Sequence, residues 1–550
     1  MSPFNKRLIK QVLGEIPFVA EAYWQIWQQG RPLSKSFSLK RLEKSFPVWK
    51  QQAADARRSA SQGRRILIFS TLRYWIEHAS LLGMALSGLG HEVTLAYLPY
   101  ANWSRPANQF DLRRQNAYAR KALGQAEPLL HTVSLLDVRP VHDGLPAELT
   151  AAVQEISLRD AQYTLQVEDI AREGSSPAAQ LYQLRVERNT RAARAALALM
   201  QTVQPEVVIT PNGSILEFGV IYRVARHLGI PAVTYEFGEQ RSRIWLARNA
   251  EVMRQETDDL WEARRDCRLD EAQWEQVREL FASRQRASLW ENFSRRWQGL
   301  PAQGGEQVRQ ALGLDARPVV LLAANVIGDS LTLGRQVFTE SMTEWLQKTV
   351  GFFAGRPDVQ LVVRIHPGER YTKGPSVADV VKQAYPDLPD HIHLVAAGDP
   401  VNTYDLVEIA DLGLVYTTTV GMEMAMSGVP VIVTGQTHYR GKGFTLDPAS
   451  WDEYFSLLEQ VLVEPGRYRP QREQVEQAWN YAYRFFFEYP CPFPWHLLHF
   501  WKEMEAWPLD QVLSPAGQEA FGLAFRCLAG EPRTWDELEL REAVSHADGH

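Results

Sequence analysis

The sequence predicts a mixed α/β protein with two doubly wound domains and additional helices at both ends. At 550 residues it is much longer than a single hydrophobic core usually supports. Apolar, strand-like runs alternate with segments of helical periodicity in two separate stretches, which is typical of parallel sheets covered by helices. Hydrophobic residues make up 45% and charged residues 23%, as in ordinary globular proteins, so global disorder is excluded.

The first domain is predicted over 64–297. RRILIFS indicates a buried strand, the residues up to Leu89 a helix that Gly90 ends, and HEVTLAYL the next strand, which together form one βαβ unit. Residues 105–200 are rich in Ala, Arg, Gln and Leu and predict a mainly helical insertion. The alternation then resumes with the strand PEVVITPNGS, the helix LEFGVIYRVARHLG and the strand IPAVTYEFGE.

The second domain is predicted over 298–465, after Gly, Pro and polar residues near position 300. Its helices are predicted over 335–354, in NTYDLVEIA and in VGMEMAMSG. Its strands are predicted in PVVLLAANV, VQLVVRIHP, HIHLVAA, LGLVYT and VPVIVTG. Residues 466–550 are predicted to be helices.

Charge and hydropathy limit the partners and the location. The net charge of −6 argues against nucleic-acid binding, which needs a concentrated basic surface. No stretch approaches the roughly 20 apolar residues of a membrane span, and no signal peptide is recognisable, so we expect a cytoplasmic protein. The three cysteines lack metal-ligand spacing and indicate reduced thiols.

Residues 1–63 form a basic, aromatic-rich arm with 11 Lys and Arg against 4 Asp and Glu, a balance of +7. One interpretation is a helical arm whose Phe18, Tyr23, Trp24 and Trp27 pack on the body of the protein. The other is an interfacial helix that associates weakly with the inner membrane, because such helices combine aromatic residues with Lys and Arg. The sequence leaves both interpretations open.

Polar residues that follow strands are the candidate site, because open α/β sheets bind ligands beyond the carboxyl ends of their strands. In RIHPGE, His366 could hydrogen-bond a nucleotide and Arg364 could neutralise its phosphates, with Glu369 close by. The alternative for His366 is a hydrogen-bonded structural histidine.

A second candidate element is a hydroxyl-rich loop before a helix. Thr417, Thr418 and Thr419 with Gly421 could cradle a phosphate through hydroxyl and backbone N–H groups. Glu423, in the first turn, could hold a ribose or sugar hydroxyl, or simply favour the helix dipole. The alternative for the whole element is an ordinary capped helix.

The order RIHPGE, YDLVEIADLGLVYTTTVGMEMAMSGVPVIVTG and HYRGKGFT resembles the bacterial capsule polysaccharide biosynthesis family, over roughly 318–450. The resemblance implies the GT-B architecture, two Rossmann-like domains facing a central crevice, with terminal helices returning to the first domain. It also implies a nucleotide-sugar donor. The resemblance implies that His366 and Pro367 contact the nucleotide and that Thr417, Thr418 and Thr419 form the phosphate element, and Tyr439, Gly441, Gly443 and Thr445 match the family's tyrosine-and-glycine loop. The candidate donor-binding residues also include Glu369, Gly421, Glu423, Arg440 and Lys442.

The family includes 3-deoxy-manno-octulosonate transferases that use a CMP-activated sugar. The sequence lacks a convincing counterpart of the acidic D/E-D/E-G motif of related sialyltransferases, and His142-Asp143-Gly144 is only a partial match. The donor is therefore open among CMP-, UDP-, GDP- and dTDP-sugars. No DxD pair follows a strand, so we expect a metal-independent enzyme without a further cofactor, in which helix N-termini and basic residues stabilise the departing phosphate.

The first domain is expected to bind the acceptor and to supply a catalytic group. Glu236 and Glu239 follow a strand and are candidate bases, and Arg364 is the candidate that stabilises the leaving group, with the Thr417 loop, Arg440 or Lys442. The candidate acceptor residues are Ser70, Thr71, Arg73, Asn212, Gly213 and Ser214. The alternative for the glutamates is a surface loop, and for Asn212-Gly213 a plain turn.

The leading prediction is sugar transfer from a nucleotide-sugar to a glycan or lipid-linked acceptor in surface polysaccharide synthesis. A nucleotide-sugar 2-epimerase of the same architecture would use similar phosphate elements but needs a water-excluding acidic site. A polyol-phosphate transferase is a third possibility, although only one HP element is evident. The non-enzymatic alternative is a polysaccharide-assembly scaffold that retains the fold.

Overall fold

The computed structural model describes residues 10, 12–140, 144–288 and 300–535. The chain divides into two compact units. The first comprises the described residues of Met1–Ala161, Ala171–Met253 and Cys491–His550, and the second those of Gln162–Ile170 and Arg254–Pro490. The units differ from the predicted limits of 64–297, 298–465 and 466–550, because residues from 254 onwards and up to 490 lie with the second sheet.

The first unit contains a seven-stranded sheet in the order β12-β6-β5-β4-β1-β2-β3. The five strands from β5 to β3 are parallel, and β6 and β12 continue the sheet in antiparallel pairing. The strands are β1 Arg65–Thr71, β2 Glu92–Leu98, β3 Leu130–Ser134, β4 Val207–Pro211, β5 Ala232–Glu236, β6 Arg243–Arg248 and β12 Cys491–Pro492.

Helices cover this sheet and bury its central strands. They are α1 Val19–Ile26, α2 Lys40–Arg57, α3 Arg73–Gly88, α4 Gln109–Leu123, α5 Ala147–Leu165, α6 Pro177–Val203, α7 Leu216–His227 and, after the second unit, α18 Phe500–Ala506, α19 Leu509–Leu513 and α20 Pro515–Leu528. Gly90 follows α3 with φ +98°, and a Cβ there would lie 2.0 Å from the Ser61 carbonyl oxygen, so only glycine fits.

The predicted insertion at 105–200 contains three helices, as expected, but also the edge strand β3. Its sequence, LHTVS, has no clear alternation of apolar and polar residues, so it gave no strand signal. The antiparallel β6 was missed as well. RIWLAR carries an arginine at each end, which masks its apolar centre.

The second unit contains a five-stranded, all-parallel sheet in the order β11-β10-β7-β8-β9. Its strands are β7 Val319–Ala323, β8 Gln360–Arg364, β9 Ile392–Val395, β10 Leu412–Val415 and β11 Val431–Val433. Its helices are α8 Asp258–Arg264, α9 Glu271–Gln285, α10 Gly305–Ala311, α11 Met342–Ala354, α12 Val377–Ala384, α13 Thr403–Ile409, α14 Val420–Met426, α15 Trp451–Val463, α16 Pro465–Tyr468 and α17 Arg472–Tyr483. The predicted α/β class with two doubly wound sheets is confirmed.

Helix α11 begins at Met342 rather than at residue 335. Ser341 caps it by accepting from the Glu344 amide at 3.0 Å. The Glu168 carboxylate accepts from the Met342 and Thr343 amides at 2.9 and 2.8 Å. These contacts satisfy the first amides of the helix, and they explain why residues 162–170 belong to the second unit.

Candidate functional site

The second sheet brings the two predicted donor-binding motifs to one edge. All five strands are parallel, so their carboxyl ends lie together. RIHPGE begins with the last residue of β8, the threonine loop follows β10, and β7 lies between these two strands. The two motifs are therefore two strands apart, about 10 Å.

Arg364 is the last residue of β8, and its buried guanidinium binds the β9–α13 loop. It donates to the carbonyl oxygens of Ala396 at 2.7 Å and Val401 at 2.9 Å, and more weakly to the Thr403 hydroxyl at 3.3 Å. Burial lowers the pKa of Arg364 to about 10. The side chain thus fixes a loop beside the motif, which differs from the direct phosphate contact that the sequence suggested.

His366 caps the short 3₁₀ helix Pro367–Tyr371 that completes the motif. Its Nδ1 accepts from the Gly368 amide at 3.0 Å, so the neutral ring carries its proton on Nε2 and can donate from there. Glu369 accepts from the Val377 amide at 3.3 Å, and burial raises the pKa of Glu369 to about 7. This carboxyl group therefore changes its charge near neutral pH.

The threonine loop is held in place by its neighbours. Both donors of Thr417 are used within the unit. Its hydroxyl donates to the Leu331 carbonyl at 2.8 Å, and its amide donates to Asn325 Oδ1 at 3.2 Å. The Thr418 carbonyl accepts from the Tyr439 hydroxyl at 2.6 Å. Among the described residues, the Thr418 and Thr419 amides have no hydrogen-bond partner, so two consecutive N–H donors can serve a ligand oxygen.

The two residues after the loop have structural contacts. A Cβ at Gly421 would lie 2.3 Å from the Tyr439 hydroxyl oxygen, so this glycine lets the tyrosine approach. Glu423 is buried, and its Oε1 accepts from Arg284 at 2.5 Å. The predicted ribose contact would have to compete with this ion pair.

The tyrosine-and-glycine loop is likewise tied to the unit. Arg440 donates to the carbonyl oxygens of Val433 and Pro448, and burial lowers its pKa. Lys442 forms an ion pair with Asp258, and the Gly441 amide donates to Asp447 at 2.8 Å. Of these residues, only Lys442 presents a buried ammonium group near the loop.

Sequence reasoning missed two buried basic residues near the same edge, Arg335 and His438. Arg335 lies in the loop between β7 and α11, and its carbonyl accepts from the Gln436 amide at 2.7 Å. His438 stacks on Phe485 at 3.7 Å, and burial next to Lys442 and Arg335 lowers its pKa well below 6.5. Neither follows a strand directly, so the strand-end rule gave no signal for them.

In the first unit, the central neighbours β1, β4 and β5 bring three predicted segments together. Asn212, after β4, donates through Nδ2 to Glu236 Oε2 at 3.1 Å. Glu236 ends β5, and its Oε1 accepts from the Phe237 amide at 3.0 Å. Burial raises the pKa of Glu236 despite these two bonds, which act in the opposite direction. A carboxylate of this kind can accept a proton from a bound hydroxyl.

The turn after β4 positions Asn212. Asn212 has φ +56° and Gly213 φ +81°, and a Cβ at Gly213 would lie 2.6 Å from Thr234 Cγ2. The Ser214 amide donates to Asn212 Oδ1 at 3.2 Å. The turn therefore holds the Asn212 amide group toward Glu236, which a plain turn does not require.

The remaining predicted residues lie nearby. At the end of β1, Thr71 donates to the Leu98 carbonyl at 3.0 Å, and the buried Ser70 hydroxyl has no partner among the described residues. Arg73 lies 3.8 Å from Glu77. Glu239 is half-buried between β5 and β6. His142 and Asp143 lie outside the described residues.

Among the residues that the structure describes, no group of three or more His, Cys, Asp or Glu side chains could hold a metal ion. Within the same ranges, no helix has the length and apolar character to cross a bilayer.

Comparisons with known proteins give fold-level similarities at low identity. No family model and no curated protein matches the chain. The KpsC beta Kdo 2,4 transferase of Thermosulfurimonas dismutans is 16% identical, with a TM-score of 0.35 over 53% of this chain and 82% of its own. The MnaA–UDP structure from S. aureus is 11% identical, with a TM-score of 0.28 over 75% and 91%.

A third similar structure is the glycosyltransferase SsfS6 of Streptomyces sp. SF2575 in complex with thymidine diphosphate. It is 13% identical, with a TM-score of 0.21 over 82% of this chain and 98% of its own. All three identities are below 25% and all three TM-scores below 0.5, so these similarities establish neither a family nor an activity.

Proposed function

We propose that the protein is a metal-independent glycosyltransferase that moves a sugar from a nucleotide-sugar to a glycan or lipid-linked acceptor in surface polysaccharide synthesis. The observation that carries this proposal is the Glu236 carboxylate, held at 3.1 Å by Asn212 at the carboxyl edge of a parallel sheet. Its raised pKa suits a base that takes the acceptor proton near neutral pH. The first unit binds the acceptor in this account.

The second unit binds the nucleotide part of the donor. The Nε2–H of His366 and the amides of Thr418 and Thr419 supply donors to phosphate or base oxygens. Arg364 acts through the loop that it fixes, as a positioning residue. Lys442 adds positive charge that can stabilise the leaving diphosphate or monophosphate.

A base at Glu236 has two consequences. Direct attack by an acceptor hydroxyl inverts the anomeric configuration, so we expect an inverting enzyme. The base must be ionised to act, so the turnover number should rise with pH through the raised pKa of Glu236.

The test is nucleotide release from CMP-, UDP-, GDP- and dTDP-sugars in the presence of a glycan acceptor, with Glu236→Gln and Glu239→Gln compared in parallel. We expect Glu236→Gln to lower the turnover number by about a hundredfold or more with little effect on nucleotide affinity. Glu239→Gln, in the same loop, should retain most of the turnover.

Two results would contradict the proposal. Equal activity of the wild type and Glu236→Gln would show that Glu236 is not the catalytic base. Conversion of a nucleotide-sugar to its 2-epimer without an acceptor would favour the epimerase alternative. Thermal unfolding of both variants checks that the loss is not a loss of fold.

A further inference from the structure

Helix α1 and the residues before it expose an unusual amount of apolar surface. Fifteen large apolar side chains are exposed among the described residues, and six of them lie within residues 12–27. They are Val12, Ile16, Phe18, Tyr23, Ile26 and Trp27. Single exposed apolar residues are ordinary, but such a concentration indicates an interaction surface.

The helix carries both buried and exposed apolar side chains. Trp24 is buried against the unit, and its Nε1 donates to the Arg31 carbonyl at 3.0 Å. Ile26 and Trp27 are exposed by 63% and 71%, and the Trp27 ring stacks on that of Tyr23 at 5.7 Å. At about 100° per residue, Ile26 lies about 160° around the helix from Trp24, Tyr23 about 100° and Trp27 about 60°, so the exposed side chains extend from beside Trp24 to the opposite side. We call them, with Phe18, the outer face.

The outer face is held in place. Arg113, on α4, binds the Glu21 carboxylate at 2.6 and 2.9 Å. The same guanidinium donates to the carbonyl oxygens of Gly14 and Ile16, both at 2.8 Å. Because α1 is fixed through its buried side, its apolar outer face is a stable feature of the first unit.

Exposed cations follow α1 in the sequence. Arg31, Lys35, Lys40 and Lys44 are exposed and form no ion pair with any of the residues described here. Aromatic rings next to free Lys and Arg are typical of helices that lie in an anionic membrane surface. Protein interfaces, in contrast, are depleted of lysine. The composition therefore favours lipid over a second protein.

We propose that the outer face of α1 inserts into the headgroup region of an anionic phospholipid bilayer, with the neighbouring cations binding lipid phosphates. This surface lies apart from Glu236 and from the donor-binding edge in the sequence. The inference therefore stands independently of the proposed sugar transfer.

The test is flotation of the full-length protein with vesicles of phosphatidylglycerol and phosphatidylcholine, against vesicles of phosphatidylcholine alone. We expect binding to the anionic vesicles that weakens in high salt. Phe18→Ser/Trp27→Ser should lower the binding by about tenfold or more, because both rings lose their burial in lipid. Both positions are exposed, so the fold should be unaffected.

The matched control is Val463→Ser/Leu498→Ser, which removes two apolar side chains of similar exposure, 72% and 64%, elsewhere on the protein. It should bind vesicles like the wild type. Absence of wild-type binding, or equal loss in both double variants, would overturn the proposal. So would a dimer of the wild type, seen by light scattering, that Phe18→Ser/Trp27→Ser dissociates without any vesicle binding.

Discussion

The ion pair between Glu423 and Arg284 offers the sharpest distinction between a structural and a ligand-binding role. Both side chains are nearly inaccessible, at 4% and 3% exposure, and their charged atoms lie 2.5 Å apart. Removing one partner of a buried pair takes the opposite charge away from the other partner and typically costs about 3–5 kcal/mol. We therefore expect Glu423→Gln to lower the free energy of unfolding by about that amount.

The loss of unfolding free energy in Glu423→Gln should depend on whether Arg284 is present. Replacing both residues, as Glu423→Gln/Arg284→Met, removes the buried cation together with its carboxylate, although Arg284 also lies 4.5 Å above the Phe486 ring and loses that contact. We expect the double variant to be at least about 2 kcal/mol more stable than the sum of the single losses predicts. Urea unfolding at pH 7 measures all three variants.

One result would refute this reasoning. If Glu423→Gln costs less than about 1 kcal/mol and instead weakens nucleotide binding about tenfold, the carboxylate contacts the ligand. The sugar or ribose contact suggested by the sequence would then be correct, and Arg284 would be a secondary partner.

Three further predictions follow from single contacts. Glu369 keeps its proton in the native state up to about pH 7, so the free energy of unfolding should fall as pH rises from about 4.5 to 7. Glu369→Gln should flatten this pH dependence by about 1–2 kcal/mol, a figure that allows for the partial exposure of the carboxyl group. Urea titrations at several pH values measure it. Gly421→Ala should cost about 2–4 kcal/mol, because a Cβ there would lie 2.3 Å from the Tyr439 hydroxyl oxygen and 2.8 Å from Val415 Cγ2. Tyr439→Phe in the same chain should recover part of this cost by removing the first contact; additive losses in thermal unfolding would contradict this. Asn212→Leu should raise the pKa of Glu236 further and shift the pH–rate profile to higher pH. An unchanged profile would show that Asn212 does not influence the reacting group.

The fold was predictable because its signal is local. Buried parallel strands such as RILIFST and VVLLA are continuous apolar runs, and a glycine such as Gly90 ends the helix between them. Of the strands that were missed, β3 is the edge strand of the parallel block and β6 lies beyond its other end, and both carry mixed residues. Their pairing is decided by tertiary contacts, which sequence periodicity does not report.

The site was predictable in position more than in role. Strand ends identified Glu236 and Asn212, which the structure joins at 3.1 Å. The contacts of a charged side chain were not predictable where its partner is a backbone group or a buried residue. Arg364 donates to carbonyl oxygens of the β9–α13 loop, and Arg440 donates to those of Val433 and Pro448; residue type alone cannot reveal such partners.

The proposed sugar transfer depends most directly on nucleotide binding by the second unit. The decisive measurement is thermal unfolding of the wild type and His366→Ala with CMP, UDP, GDP, dTDP and CDP, with His131→Ala as a surface control. The account predicts that one nucleotide raises the unfolding temperature by a few degrees, because saturation at about 100 times the dissociation constant adds about 2.7 kcal/mol. His366→Ala should lose this shift and His131→Ala should keep it. A folded wild type that responds to no nucleotide would contradict the account and favour a scaffold.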